Sequence, residues 1–401
     1  MTTSVIRRRA FLGAVAGAAA GLAGGASGVM SAAAQATSPG RGPLVYVGTY
    51  TEAASKGKAE GIYVYQLDPA TGGLTRVQTV PRIVNPSFLT FDRTRRYLYS
   101  VNEISKGGVT AFAIGANGTL TLLNTQATLG ADSCHLSVDP TNQYLMVANY
   151  STGDFTVLPI GTDGKLGIAT DRFEDVGAGV NAARQEAAHA HMITPDLTGN
   201  YVLGVDLGTD RVNVFRLNTL TGKLIANAIP TRIGDIPVMG AQTKPGAGPR
   251  HLAFHPNGKF VYVINELDST IGTYGYDGNR GTLAPVSTVS TLPPGYTGTS
   301  TCAEIAVHPN GKFVYGSNRG HDSIAIFAVN AATGALTPVG YEPTRGKTPR
   351  NFALDPTGNF LLAANQNSDT IVSFRVDPNA GTLTATGQVA QVPTPVCMIF
   401  G

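Results

Sequence analysis

The chain of 401 residues has no tryptophan, three cysteines and only 14% charged residues. Without tryptophan, repeats built on a Trp-Asp dipeptide are excluded. Cys134, Cys302 and Cys397 are widely separated, odd in number and without the paired spacing of a zinc or redox site, so they read as buried free thiols. There is no G-x-S-x-G elbow, no H-E-x-x-H helix and no C-x-x-C. Gly346-Lys347-Thr348 imitates the end of a phosphate-binding loop, but Tyr341 stands where the earlier glycine belongs, and the segment reads as a loop. The formal charge of +3 comes from Arg7, Arg8 and Arg9; the other 26 basic residues face 26 acidic ones, which gives no reason to expect a nucleic-acid partner.

What is present is a globular composition, 42% apolar with 49 Gly and 24 Pro. The first 36 residues stand apart. Arg8-Arg9-Ala10-Phe11-Leu12 precedes a Gly/Ala-rich stretch to Met30, and Ala34-Gln35-Ala36 offers a small-residue cleavage site. This segment resembles a twin-arginine signal, with the export machinery as its partner and a periplasmic or secreted mature chain as the expectation. So little Leu, Ile or Phe makes a poor membrane anchor, although an uncleaved anchor is the competing reading. No later segment is long and apolar enough to span a bilayer.

After a short linker at 37–43, a repeat organises the chain from Leu44 to the C-terminus as one domain. Cys134-His135-Leu136-Ser137-Val138-Asp139-Pro140, Arg250-His251-Leu252-Ala253-Phe254-His255-Pro256 and Arg350-Asn351-Phe352-Ala353-Leu354-Asp355-Pro356 each read as a strand entering a tight turn. A second strand follows each turn: Tyr97–Asn102, Tyr144–Asn149, Tyr201–Asp206, Phe260–Asn265, Phe313–Asn318 and Phe360–Asn365. Third and fourth strands can be read beyond, as in Ser323–Val329 and Ala335–Val339. Four strands recurring about every 50 residues predict a β-propeller. Leu44–Thr49 is a second-type strand with no first strand before it, and Pro395–Phe400 is a first-type strand with nothing after it. The expected fold is therefore an all-β, seven-bladed propeller whose C-terminal strand closes the ring and removes two free edges.

In such a blade, the start of the first strand and the end of the second meet on one axial face. Aligned on the turn proline, the repeats place Ser87, Cys134, His189, Arg250, Ala303 and Arg350 in one column, and Phe88, His135, Ala190, His251, Glu304 and Asn351 in the next. The second strands end in Glu103, Tyr150, Leu207, Glu266, Arg319 and Gln366, each preceded by Asn or Asp. The uniform Asn/Asp column reads as local backbone bonding. The columns that vary among His, Arg and Glu read as polar groups converging on a tunnel mouth, the requirement of a small-molecule site; a hydrated structural plug is the alternative.

Gly248-Pro249-Arg250-His251-Leu252, Asn265-Glu266-Leu267, Ala303-Glu304-Ile305, Ser317-Asn318-Arg319-Gly320-His321-Asp322-Ser323 and Ala364-Asn365-Gln366-Asn367-Ser368 make the chain resemble the lactonase family of seven-bladed propellers. That family includes a propeller-type 6-phosphogluconolactonase and is similar to carboxy-cis,cis-muconate lactonizing enzymes. The resemblance implies catalytic residues at His189 or His191, Arg250, Glu266 and Arg319, with no required cofactor; His189 and His191 alternate as a metal-binding pair could, but no third ligand is evident nearby in sequence, so no metal is expected. His135, Glu103, Glu304 and Arg350 are candidates for substrate binding, Arg350 as an anion anchor.

Those residue types suit lactone opening. Water must lose a proton near neutral pH, to a His or to a Glu of raised pKa, and Arg250 or Arg319 can meet the oxyanion. The same groups suit the reverse lactonisation of an unsaturated acid, and Arg250 with Glu266 also reads as a structural ion pair within one blade. A phosphorylated sugar lactone is a cytosolic metabolite, so an exported chain fits a non-phosphorylated aldonolactone better. A binding propeller for a sugar or an envelope partner is the rival class. It wins if these side chains point into separate blade interfaces.

Overall fold

The computed structural model describes residues 42–233 and 236–401. The signal expected over 1–36, and all but the end of the 37–43 linker, lie outside these residues. Among the described residues no helix is long and apolar enough to cross a membrane.

Seven four-stranded antiparallel blades form the ring. The innermost strands of blades 2 to 7 are Leu89–Phe91, Ser133–Val138, Ala190–Pro195, Pro249–Phe254, Thr301–Val307 and Pro349–Leu354. Blade 1 closes as expected: Pro395–Phe400 supplies its innermost strand and pairs antiparallel with Leu44–Thr49, Val45 opposite Phe400 and Tyr46 opposite Ile399. The second strands lie where the sequence places them, except that Tyr201 precedes its strand and Arg319 extends another. The outer strand expected at Ala335–Val339 is Leu336–Pro343. Blade 4 carries an addition not legible in the sequence, a hairpin of Ala228–Ile233 with Ile236–Met239.

The core lies between blades, where each sheet buries both faces. Leu98 and Phe112 of blade 2, for example, pack on Tyr46, Ile62 and Val64 of blade 1. Tyrosine adds a polar staple to this apolar contact. Tyr46, Tyr99, Tyr144, Tyr201, Tyr262 and Tyr315 each donate the phenol O–H to a backbone carbonyl of the next blade, at 2.8–3.1 Å. A phenol can bury its ring and still satisfy its hydroxyl, which gives the tyrosines of a Trp-free chain a repeated structural task.

Each first turn is held by one acceptor. Asp92, Asp139, Asp196 and Asp355 accept the N–H that opens the second strand, at Tyr97, Tyr144, Tyr201 and Phe360. His255 and His308 stand in for Asp in blades 5 and 6, accepting a turn N–H and bonding through Nε2 to Gly311 and Gly358 of the following blade. The Asn column has the bland role expected of it. Asn102, Asn318 and Asn365 donate to the carbonyls of Val84, Thr291 and Thr344 in the preceding connections.

The turn acceptor corrects the alignment in one blade. Pro140 and Pro256 follow the acceptor, but Pro195 precedes Asp196. Counting from the acceptor puts His191 in the Arg250 column and Met192 beside His251, and the pairing agrees, with a bulge at His191 as at Arg250. The expectation that His189 shares the Arg250 column is therefore wrong by two residues.

Candidate active site at the tunnel mouth

Arg250 and Glu266 are brought together by blade 5 and by the glycine before it. Gly248 has φ of 63°, a conformation that a side chain resists, and a Cβ there would meet Leu267 at 2.5 Å. Its N–H donates to Asp210 Oδ1 (2.8 Å) and its carbonyl accepts the Glu266 N–H (2.6 Å), so one residue fixes the entry of one strand and the exit of the other.

Glu266 is the centre of an arginine cluster. Arg250 Nε and Arg319 Nη2 lie 3.2 and 2.8 Å from its Oε2, and Arg184 Nη2 donates to Oε1 at 2.7 Å. Burial alone would raise the Glu266 pKa; Arg319 and Arg250, then Arg184, outweigh it and hold the carboxyl far below the usual range. The raised-pKa carboxyl that could serve as a base is thus not found at Glu266. Arg250 shows the opposite strain: burial, then the charges of Arg350 and Arg319, bring it down to about 10, still cationic at neutral pH. Arg250 Nη1 donates to the Ala303 carbonyl and Arg319 Nη2 to that of Cys302, while the Nε groups of both are buried without a hydrogen-bond acceptor.

A narrow cleft opens beside this cluster and is lined by Arg250, Arg350, Glu103, His251 and Glu304 among others. Tyr50 donates to Glu103 Oε1 at 2.8 Å and Ser87 to Oε2. Arg350 sits 5.4 Å over the Tyr50 ring. Among the described residues nothing hydrogen-bonds or ion-pairs with its guanidinium, which leaves it open to an anion. Glu304 is tied to Asn351 Nδ2 (2.6 Å) and to His251 Nδ1 (3.1 Å).

The histidines differ in how their nitrogens are engaged. His189 stacks on Tyr150 at 4.6 Å, with Nδ1 at the Tyr150 carbonyl and Nε2 at Glu186. His135 lies against Phe88 at 4.3 Å and accepts the Ile193 N–H. His251 bonds Glu304 and touches Arg250 Nη1. His191 alone of the four makes no side-chain hydrogen bond; its Nδ1 is buried and unpartnered, and its ring meets His251 at 5.1 Å and Tyr150 at 5.7 Å. Burial, then the charge of Arg250, lowers the His191 pKa well below its ordinary value. Burial lowers His135 and His251 likewise.

The structure thus joins Arg250, Glu266 and Arg319 directly, sets Glu304, Glu103 and Arg350 around the same cavity, and packs His191 against its His251. His189 stacks on Tyr150, and His135 packs against Phe88 and His251. His251 stood in the aligned columns but was not among the candidates; its place beside Arg250 was the available signal. Arg184 and Tyr150, whose hydroxyl accepts from Arg184 Nη2 at 3.2 Å, were also missed. Arg184 belongs to the connection between blades 3 and 4, outside every repeat column. Among the described residues no group of three or more His, Cys, Asp or Glu is placed to hold a metal ion.

These shifts act on stability in one direction. His135, His191 and His251 bind fewer protons folded than unfolded below about pH 6.5, and Glu266 does so below its unfolded value of about 4.3. Stability therefore rises with pH until both windows are passed. The expected result is a Tm level between pH 7 and 8 that falls progressively once the pH drops below about 6.5, measured by calorimetry across buffers of equal ionic strength. A Tm rising on acidification to pH 5 would contradict the buried neutral histidines.

The model of the family described as lactonase, 7-bladed beta-propeller, matches residues 44–400. The 6-phosphogluconolactonase of Bacillus subtilis is 38% identical over 311 residues, 77% of this chain and 83% of that protein. The 6-phosphogluconolactonase of Formosa agariphila is 36% identical over 77% of this chain and 85% of its own length. Among solved structures, the periplasmic gluconolactonase of Pseudomonas aeruginosa superposes with a TM-score of 0.82 at 32% identity, covering 89% of this chain and 98% of that one.

Proposed function

Because this chain belongs to the lactonase family of seven-bladed β-propellers, we propose that the tunnel mouth opens the ring of a non-phosphorylated sugar lactone, in the periplasm or outside the cell. The chain is a 6-phosphogluconolactonase-like lactonase, a carboxylic ester hydrolase. The finer reading of substrate and compartment is supported by the Arg8-Arg9 segment and by the Pseudomonas relative, a periplasmic gluconolactonase.

The observation that carries the mechanism is the uncommitted His191 imidazole, packed on His251 at the cavity that Arg250 lines. Burial and the Arg250 charge keep His191 unprotonated at pH 7, the state from which a general base acts. It removes the proton of the attacking water as the water oxygen bonds to the lactone carbonyl carbon. The oxyanion so formed is met by the guanidinium of Arg250, which lines the cavity. The carbonyl re-forms, the bond to the ring oxygen breaks, and His191 returns the proton to that oxygen. The product is an open hydroxy acid, whose carboxylate the unpaired Arg350 holds. Glu266 orients its arginines and, held ionised, does not act as the base.

The test of direction is hydrolysis in H2-18O. One labelled oxygen in the product carboxylate supports water attack on the carbonyl; unlabelled product, or net lactone formation from the acid, overturns it. The test of substrate is the ratio of kcat/KM for glucono-1,5-lactone to that for 6-phosphogluconolactone, expected above one. A strong preference for the phosphorylated lactone would refute the non-phosphorylated reading while leaving the lactonase standing.

A further inference from the structure

Glu103 follows directly on the second strand of blade 2, Tyr97–Asn102, and one residue of the preceding connection holds its backbone from both sides. Its N–H donates to the Asn85 carbonyl at 3.1 Å, and Asn85 Nδ2 donates to the Glu103 carbonyl at 2.9 Å. The side chain lines the cleft together with Arg250, Arg350 and His251. Tyr50 and Ser87, both buried, each donate a hydroxyl to one of its two oxygens. Burial raises the Tyr50 pKa far above its ordinary value, so the phenol keeps its proton and is the donor.

A carboxylate offers about four acceptor positions and no donor. On Glu103 one position of each oxygen is taken, and among the described residues no cationic side chain hydrogen-bonds or ion-pairs with it. The open positions call for a ligand that brings a proton. Arg250 and Arg350 on the same walls disfavour an ammonium group. The carbonyl and ring oxygens of a lactone only accept, so they suit the arginines and give Glu103 nothing. What a lactone can offer Glu103 is a hydroxyl carried on its ring. A bare lactone in the cleft strips water from the carboxylate without replacing its hydrogen bond, a cost that the hydroxyl avoids.

We infer that Glu103 is a specificity-determining residue of this site, accepting a ring hydroxyl of a polyhydroxylated lactone. This rests on the lactonase reading above. Arg250 then acts on the reacting carbonyl, and Glu103, on the same cleft, tells a sugar lactone from a bare one.

The experiment measures glucono-1,5-lactone and δ-valerolactone, which has the same ring without hydroxyls, on the wild-type chain and on Glu103→Ala, Glu103→Gln and Tyr50→Phe, each confirmed folded by circular dichroism and Tm. In Glu103→Ala, KM for the hydroxylated lactone rises about tenfold or more, as expected for one lost hydrogen bond to a charged group. Its kcat holds within about threefold, since the bond is made in the ground state and the transition state alike. Turnover of the bare lactone, measured against buffer, does not fall, because it has no bond to Glu103 to lose. Glu103→Gln keeps a neutral acceptor and recovers part of the KM. Tyr50→Phe leaves the carboxylate in place and moves that KM by less than about threefold. An equal loss on both lactones, an unchanged KM in Glu103→Ala, or a Tyr50→Phe that matches Glu103→Ala overturns the inference while leaving the lactonase standing. If the wild-type chain opens neither lactone, the functional reading itself fails and the inference falls with it.

Discussion

Arg250→Ala lowers kcat/KM for lactone hydrolysis by about 10²–10³-fold, the cost of removing one preorganised donor from an oxyanion. The size follows from where the group sits. Arg250 is 3% exposed, lines the cavity, and its charge survives burial and two neighbouring arginines with a pKa of about 10. The substitution also removes a cation from Glu266, which keeps Arg319 and Arg184. Arg250→Lys separates the two effects. It retains positive charge near Glu266 but loses the planar fork, so it recovers stability more than rate. Steady-state rates paired with Tm values check this. A variant as stable as wild type and within threefold of its rate would remove Arg250 from the chemistry.

His191→Gln is expected to cost about 10²–10⁴-fold in kcat, the range for losing a positioned general base. His189→Gln is expected to cost far less, because its ring is committed to Tyr150 and Glu186. The pH profile adds a second reading. The His191 pKa is lowered by burial and by Arg250, so the wild-type rate is level through neutrality and its acid limb lies below the ordinary histidine range. In His191→Gln that limb disappears with the activity that carried it. A full loss in His189→Gln with His191→Gln near wild type would reverse the assignment.

The blades were legible because each repeats a local rule: a turn, a second strand and an Asn at its end. Ring closure was legible from the unpaired types of the first and last strands. Blade 4 misled because Pro195 and Asp196 exchange the order that the other blades use, and proline only marks a turn that the carboxylate holds. The site was legible as columns, so Arg250, Glu266 and Arg319 could be found, each standing at a fixed point of a repeat. Arg184 could not, since a connection outside the repeat has no column to betray it. The tyrosine staples were hidden for another reason. The Tyr46 hydroxyl meets the Gly118 carbonyl, 72 positions away, and a backbone acceptor leaves no mark in the sequence. The direction of the Glu266 shift was likewise invisible, because it depends on how many arginines reach one carboxylate.

Arginine-loaded Glu266 and free His191 are expected to form a lactone-opening centre. Its most direct test is pH-stat titration of glucono-1,5-lactone by the purified chain, alongside buffer alone and Arg250→Ala. The wild-type chain is expected to release acid far above the spontaneous rate, and Arg250→Ala close to it. Equal rates for wild type and a folded Arg250→Ala would rule out a lactone-opening centre built on Arg250.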